Sequence, residues 1–250
     1  MTLSSNEIKR IRSLQQKKFR DESGLFVVEG EKMVEEAKLS PYVIDRIYLR
    51  EEVGGDAMGR ISSLASPSPV LAVVHKPSDI YADDLSLLEP MLNKGGLFLA
   101  LDTIRDPGNL GTILRIADWF GIDAVFATRD TVDVFNPKVV QATMGAIFRV
   151  RIHYVDLPAL AGRILSKGGH VYGTFLDGRN IYERPLDNGH DTPAMIVIGN
   201  ESEGISGAMA SLVSDRLCIP PYPAGEPGSE SLNAAIATAV TVAEFRRRTY

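Results

Sequence analysis

Short apolar runs alternate with amphipathic stretches along most of this chain. In the second half, runs of branched and aromatic side chains predict five strands, at 97–101, 124–127, 150–154, 171–175 and 195–198. Two further stretches each keep their apolar residues on one helical face: Leu110, Ile113, Leu114 and Ala117, and Leu232, Ile236, Ala239, Val240 and Ala243. This alternation predicts a mostly parallel sheet with helices on both faces.

A smaller α/β pattern occupies roughly the first third of the chain. Strands are predicted at 25–28, 43–49 and 70–74, and helices at 6–18, 31–39 and near 58–64. The stretch from Lys76 to about Lys94 is polar and bounded by prolines, as connectors between domains often are. We therefore expect two domains, residues 1–90 and residues 91–250.

The composition is that of an ordinary globular protein. Of 250 residues, 44% are hydrophobic and 24% are charged, and the apolar stretches are too short to span a bilayer, so no membrane partner is expected. The N-terminus lacks the apolar segment of a secretory signal, and the single Cys218 cannot form an internal disulfide. These features favour a reducing, cytoplasmic location.

Charge permits a nucleic-acid partner without requiring one. The formal net charge of -5 argues mildly against RNA, whose phosphates are normally neutralised by lysine and arginine. Basic residues are nevertheless concentrated near both ends: Lys9, Arg10, Arg12, Lys17, Lys18 and Arg20, and Arg246, Arg247 and Arg248. Solvated helix faces explain these runs equally well.

Three separated segments combine a strand end with polar or glycine-rich turns. In the first, a strand ends in a Pro-Gly turn and a helix begins near Asn109, which can cap it, with Arg115 close to the same end. Ligands of open α/β sheets collect at such strand ends. A cap and a surface arginine are the simpler interpretation of this segment taken alone.

The second segment runs from a buried-type strand into a turn containing Gly199, Asn200, Glu201 and Gly204. Its glycines let the backbone approach a ligand, although the same residues also make an ordinary sharp turn. The third leads from Cys218 through a proline-rich loop into an alanine-rich helix predicted to begin around Ser231, which could serve as its N-cap.

Several familiar chemistries lack their residues in this sequence. There is no dinucleotide-binding glycine motif after a strand, no phosphate loop, no zinc-protease motif and no pair of cysteines. The four histidines, at positions 75, 153, 170 and 190, are scattered, so we expect no metal site.

Taken together and in this order, the three segments resemble the three motifs of the SpoU, or TrmH-like, family of RNA ribose methyltransferases in the SPOUT class. Asn109 to Arg115 is similar to motif one, Gly199 to Gly204 to motif two, and Ile219-Pro220 with Ser231-Leu232-Asn233 to motif three. More loosely, residues 26–30 and 71–74 resemble the small ribosomal-protein-like α/β domain that many family members use to hold RNA.

The resemblance implies transfer of a methyl group from S-adenosyl-L-methionine to a ribose 2′-hydroxyl of structured RNA, either ribosomal or transfer RNA. It implies a trefoil knot in the C-terminal part of the sheet. It also implies a homodimer whose active site is completed across the subunit interface.

Carried onto this sequence, the resemblance assigns roles to eight residues. Gly199, Ile219 and Leu232 would line the donor pocket, and the catalytic and positioning set would be Asn109, Arg115, Glu201, Ser231 and Asn233. Arg115 could bind the neighbouring phosphate and stabilise the developing alkoxide, or accept its proton. We favour electrostatic positioning, since a guanidinium holds its proton strongly.

The long interval from Tyr222 to Glu230 departs from the compact motif three of the family and affects the expected shape of the pocket lip. Two other interpretations remain open. One is a non-catalytic RNA-binding or scaffold protein with the same fold, which donor binding would distinguish. The other is a ribosomal RNA methylase that confers antibiotic resistance.

Overall fold

In the computed structural model, which describes residues 3–223 and 230–247, the chain divides into two units. The first contains the residues through Ser78 together with Asp133–Arg149, and the second contains Asp79–Val132 and the residues from Val150 onward. The sequence predicted a boundary near residue 90. The assignment of residues 1–90 to RNA binding stays a prediction.

The first unit is a three-stranded antiparallel sheet flanked by helices. Its strands, in the order β1-β3-β2, are β1 (Leu25–Glu29), β2 (Ile44–Leu49) and β3 (Val70–His75). Its helices are α1 (Ser5–Ser13), α2 (Lys17–Ser23), α3 (Glu31–Lys38), α4 (Arg50–Val53), α5 (Gly55–Ile61) and, from the later segment, α8 (Pro137–Thr143). A short 3-10 helix follows at Ala146–Phe148.

The predicted helix at 6–18 is in fact two helices, because α1 ends at Ser13, with Leu14 as its C-cap, and α2 begins at Lys17. The freed carbonyl of Leu14 accepts a hydrogen bond of 2.9 Å from the Arg20 guanidinium, which also pairs with the buried Asp133 carboxylate at 2.6 Å. Arg20 is only 1% exposed. One member of the basic N-terminal run is therefore structural, and its buried charge is not available to a nucleic-acid partner.

Glu29 anchors the segment that follows α5. This buried carboxylate accepts hydrogen bonds from the Ser62 hydroxyl, the Ser63 amide and the Ser63 hydroxyl, at 2.5, 2.7 and 2.6 Å. A buried carboxylate is tolerated where several donors satisfy it. Within the motif at 26–30, Glu29 thus serves the fold of its own unit.

Replacing Glu29 by glutamine should therefore destabilise the protein. In the glutamine variant, an NH2 group would replace one of the two carboxylate oxygens that accept hydrogen bonds from Ser62 and Ser63. A buried polar group left without a partner costs about 1–3 kcal/mol. Urea unfolding measures the change. Glu35→Gln is the matched control, because Glu35 is exposed and its pair with Lys38 is worth at most about 1 kcal/mol. Equal effects of the two substitutions would contradict the anchoring role.

The second unit is a six-stranded sheet in the order β6-β5-β4-β8-β7-β9, and every neighbouring pair is parallel. Its strands are β4 (Gly96–Leu101), β5 (Ala124–Ala127), β6 (Ile152–Tyr154), β7 (His170–Asn180), β8 (Pro193–Ile198) and β9 (Asp215–Cys218). Its helices are α6 (Glu89–Leu92), α7 (Pro107–Trp119), α9 (Leu157–Ser166), α10 (Gly207–Ala210) and α11 (Ala234–Arg247), with 3-10 turns at Leu85–Leu88 and Ile181–Glu183.

Both faces of this sheet are covered. On one face, Phe98, Ala100 and Phe126 join a core with the apolar side of α9. Side chains alternate along a strand, so the equally buried Leu97, Leu99 and Leu101 point to the other face, where α7 packs against β5 and α11 against α7. The predicted parallel α/β sheet is confirmed. No helix among the described residues has the length and apolar character needed to cross a membrane.

Residues 76–94, which their composition predicts as a connector, carry a buried apolar face. Leu85, Leu88 and Leu92 pack into the core of the second unit. Their spacing of three and four residues is the helical signal that the surrounding prolines and acidic residues obscure.

Candidate active site

The polar residues of two motifs meet at the carboxyl ends of adjacent central strands. β4 pairs with β5 on one side and with β8 on the other: the next two strands in the chain, β5 and β6, lie on one side of β4, and the last three lie on the other. Asp102 follows β4, and Gly199 follows β8. This is the position in an open parallel sheet where ligands bind.

Asp106, and not Asn109, caps α7. The Asp106 carboxylate accepts a hydrogen bond of 2.7 Å from the Asn109 backbone amide, and Pro107 occupies the first turn. The capping role predicted for Asn109 is wrong, because an acceptor three residues earlier already serves the helix end. The Asn109 side chain is consequently available for other contacts.

The Asn109 side chain joins the first, second and third motifs. Its Nδ2 donates to Glu201 Oε1 at 2.7 Å, and its Oδ1 accepts from Asn233 Nδ2 at 2.9 Å. The Asn233 Oδ1 in turn accepts from the backbone amides of Ala235 and Ile236. Each amide is thus oriented by its partners, and residues up to 124 positions apart form one hydrogen-bonded chain.

The same contacts correct the predicted start of the last helix. α11 begins at Ala234, and Asn233 provides the side-chain oxygen that accepts from its first amides, the role proposed for Ser231. Ser231 is exposed and instead lines the cavity described below.

The turn after β8 is built around Asn200, whose structural role the sequence did not reveal. Its Oδ1 accepts from the amides of Ser202 and Glu203, and its Nδ2 donates to the Thr103 carbonyl at 2.8 Å. Gly199 lies directly against the backbone of Gly204, where the turn folds back. A Cβ at position 199 would lie only 2.3 Å from the Gly204 carbonyl carbon. The loop can close in this way only with glycine at position 199.

A cavity of about 640 Å³ opens beside this turn. Its described lining comes from the ends of three strands and from the start of α11: Thr174, Phe175, Leu176, Ile198, Gly199, Asn200, Glu201, Ser202, Glu203, Gly204, Leu217, Cys218, Ile219, Glu230, Ser231, Leu232, Ala234 and Ala237. All three residues predicted to contact the donor, together with Glu201 and Ser231, therefore surround one space. Residues 224–229 of the long loop after Tyr222 lie outside the described residues.

Arg115 lies on the exposed side of α7 and is not among the described residues that line the cavity. Asn109 and Asn233 are also absent from that lining, although both reach it through Glu201. Within residues 3–223 and 230–247, no hydrogen bond or ion pair engages the Arg115 guanidinium. Its planar donor set is therefore open to a partner from outside the chain.

One wall of the cavity is the outward bend of β7, a feature absent from the sequence-based expectation. The pairing of β7 with β9 is interrupted between Thr174 and Arg179. The Arg216 guanidinium stacks on the Phe175 ring at 3.5 Å from its centroid and donates to Asp177 at 2.6 Å, which holds the bend in place. The hydrogen bond from Arg216 also lowers the pKa of Asp177.

Cys218 lines the cavity as a neutral thiol. Burial raises its pKa, and the nearby Asp177 carboxylate raises it further. A raised pKa disfavours the thiolate, which is the nucleophilic form of cysteine.

The basic C-terminal run is largely occupied within the fold. Arg246 donates to the carbonyls of Phe120 and Gly121, which follow α7, and Arg247 forms two bonds of 2.8 Å to Glu244. Arg248 lies outside the described residues. Arg246 is therefore engaged with the fold, whereas Arg247 stays 67% exposed beside Glu244, as on a solvated helix face.

The lining suits a ligand that is partly apolar and carries positive charge. Ile198, Ile219 and Leu232 provide apolar surface beside the backbone groups of the glycine turn. Three carboxylates, Glu201, Glu203 and Glu230, line the same space, and no lysine or arginine does so among the described residues. A molecule with a flat apolar ring system and a cationic centre matches this chemistry.

Two parts of the chain match known protein families. Residues 96–243 match the SpoU rRNA Methylase family, and residues 5–76 match the MRM3-like substrate binding domain. The chain is 30% identical to the 23S rRNA (guanosine(2553)-2′-O)-methyltransferase RlmP of Bacillus subtilis, over 97% of this chain and 96% of that protein.

Solved structures extend the likeness to the whole chain. A putative RNA methyltransferase of the TrmH family from Porphyromonas gingivalis is 40% identical, with a TM-score of 0.83 over 98% of this chain and 99% of the other. An AdoMet-bound rRNA methyltransferase from Sinorhizobium meliloti is 28% identical, with a TM-score of 0.86 over 100% of this chain and 98% of the other.

Proposed function

Because this chain belongs to the SpoU rRNA methylase family, we propose that it transfers a methyl group from S-adenosylmethionine to a ribose 2′-hydroxyl of ribosomal or transfer RNA. The observation that carries the proposal is the hydrogen-bonded chain Glu201–Asn109–Asn233 beside the cavity. A protein that only bound RNA would not need these three side chains linked at the edge of a donor-sized space. Ribosomal RNA is the first substrate to test, given the similarity to the Bacillus enzyme. We assign the reaction to the cytoplasm.

The cavity is the proposed donor site. When bound, S-adenosylmethionine supplies a methyl group activated by a sulfonium. Gly199, Ile219 and Leu232 would hold it through backbone groups and apolar contact, and Ile198 extends the apolar wall. The Glu201 carboxylate, which lines the same cavity, favours its net positive charge.

The remaining predicted residues act on the RNA side. Asn109 and Asn233 hold the Glu201 carboxylate in one orientation, and Ser231 provides a hydroxyl at the cavity lip. Arg115 would bind the phosphate next to the reacting sugar and stabilise negative charge on the 2′-oxygen as the hydroxyl proton passes to solvent water. Fixing the oxygen in a reactive position is itself a large part of the acceleration.

The proposal includes a homodimer. Arg115 and Trp119 are one helical turn apart on the exposed side of α7, and Trp119 is 84% exposed. Leu232 and Ile236, at the start of the neighbouring α11, are also exposed apolar residues. A second copy packed on these helices would cover the apolar residues and bring its own Arg115 towards the donor site of the first.

We also propose that the C-terminal part of the second unit forms a trefoil knot and that the first unit holds the RNA. The outward bend of β7 and the chain segments that follow β8 and β9 all contribute to one cavity, as a knotted arrangement of the chain would require. A crystal structure of the donor complex would test the knot.

The direct test is methyl transfer. Purified protein is incubated with labelled S-adenosylmethionine and with ribosomal or transfer RNA from a host strain that lacks the gene, and the modified nucleotides are identified by mass spectrometry. We expect 2′-O-methylated nucleotides. Calorimetry with the donor alone is the second measurement. If the protein does not bind the donor and transfers no methyl group to any host RNA, the alternative of a non-catalytic RNA-binding or scaffold protein would be favoured instead.

A further inference from the structure

Arg105 and Glu203 form an exposed ion pair at the edge of the candidate active site. Arg105 lies in the loop between β4 and α7, one residue before the Asp106 cap, and Glu203 lies in the turn after β8 and lines the cavity. The Arg105 Nη1 and the Glu203 Oε1 are 3.5 Å apart. Their side chains are 61% and 67% exposed. The pair therefore joins the two loops at the carboxyl edge of the sheet, in water.

The backbone around Arg105 is held firmly, although its side chain is not. The Ile104 amide donates to Thr131 Oγ1 at 3.2 Å, and its carbonyl accepts from the Val132 amide at 2.8 Å. Only the long side chain of Arg105 can move far. An exposed pair at this separation contributes about 0–1 kcal/mol, so a second anion can displace Glu203 at little cost.

Three other carboxylates of the loops after β4 and β8 are already engaged. Asp106 caps α7, Glu201 accepts from Asn109, and Asp102 accepts from the Ser206 amide at 2.8 Å. Among the described contacts of the loops after β4 and β8, Glu203 is the carboxylate that pairs with an arginine. A phosphate approaching the site would meet these negative charges first, and Arg105 is the cation placed to offset them.

We infer that Arg105 is a second positioning residue, which exchanges the Glu203 carboxylate for a phosphate of the RNA substrate when RNA binds. The inference rests on the proposed function and goes beyond it by naming a phosphate contact separate from Arg115. It assigns Glu203 a competing role: in free protein this carboxylate holds Arg105 and weakens RNA binding. The two partners of one ion pair should then affect RNA binding in opposite directions.

The opposite signs allow a decisive test with Arg105→Gln, Glu203→Gln and the double variant. Methyl transfer to ribosomal RNA from the gene-deleted host gives KM and kcat, and filter binding of the same RNA at several salt concentrations gives the slope of log affinity against log salt. We expect Arg105→Gln to raise KM about fivefold and to reduce the salt slope by about 0.7–0.9, the value for one phosphate contact.

Glu203→Gln should lower KM by about threefold, since Arg105 is released, and the double variant should behave like Arg105→Gln alone. Arg163→Gln is the matched control. It breaks another arginine–carboxylate pair, with the half-buried Glu89, near the end of α9 and hence at the opposite, amino edge of the sheet, so RNA binding should not change.

Three results would overturn the inference. In the first, Glu203→Gln raises KM as Arg105→Gln does, which would mean that the ion pair only stabilises the two loops that it joins. In the second, the effects add in the double variant, which would mean that Glu203 acts without Arg105. In the third, the salt slope is unchanged in Arg105→Gln. If the protein binds RNA but does not methylate it, the proposed function is contradicted. The slopes of log RNA affinity against log salt would still test whether Arg105 exchanges Glu203 for an RNA phosphate.

Discussion

Replacing Arg115 by alanine should reduce methyl transfer to RNA by about a hundredfold to a thousandfold, the usual cost of removing one donor that stabilises developing negative charge. The loss should fall on kcat, because the guanidinium is proposed to stabilise charge that forms during the reaction. Stopped assays with labelled donor and saturating RNA measure it. Arg115→Lys should recover only part of the rate, since lysine keeps the charge without the planar pair of donors.

The fold should be unaffected by this change. The Arg115 side chain is exposed, and no described residue forms a hydrogen bond or ion pair with it, so Arg115→Ala should melt within a few degrees of the wild type. Donor affinity measured by calorimetry should also persist, because Arg115 does not line the cavity of its own chain. A variant that keeps most of the wild-type rate would remove Arg115 from the mechanism.

Replacing Gly199 by alanine should strongly weaken binding of the methyl donor. The added Cβ would lie 2.3 Å from the Gly204 carbonyl carbon and 2.4 Å from the Ile205 amide, so the turn around Asn200 must open. The atoms that the Cβ would meet belong to the backbone and cannot move aside as a flexible side chain could, and overpacking of this kind costs about 1–3 kcal/mol. We expect donor affinity to fall by about a hundredfold, equivalent to about 2.7 kcal/mol, as measured by calorimetry.

Gly162→Ala is the control for this change. Gly162 lies within α9, and a Cβ there meets no atom within 4 Å, so alanine should leave donor binding unchanged and should stabilise the helix by up to about 1 kcal/mol. If Gly199→Ala bound the donor as tightly as Gly162→Ala, the turn after β8 would not form the donor site.

The elements of the second unit were predictable because their signals are local. Buried parallel strands are short, continuous apolar runs, so 97–101 and 124–127 in the sequence became Gly96–Leu101 and Ala124–Ala127 in the structure. The order of three motifs along the chain was also enough to name the family, which the match over residues 96–243 confirms. Each strand and each motif is recognised from residues within a few positions of one another, and the family follows from the order of the motifs.

Assignments that depend on competition between neighbours were less secure. Asn109 and Ser231 are both acceptable caps by residue type, yet Asp106 and Asn233 occupy those roles. A cap depends on which side chain reaches the free amides first, and the start of each helix sets that choice. Arg20 likewise resembles its basic neighbours in sequence, and only its buried partner Asp133, 113 positions later, shows that it is structural.

By itself, then, the sequence determined the class of fold and the residues that meet at the strand ends, since apolar periodicity and turn chemistry are properties of short segments. Tertiary structure alone decided which polar groups touch. It brought Glu201 and Asn233 to opposite sides of Asn109, bent β7 into a cavity wall and opposed Arg105 to Glu203. These contacts depend on how distant strands are ordered in the sheet, and packing energy summed over the whole domain sets that order.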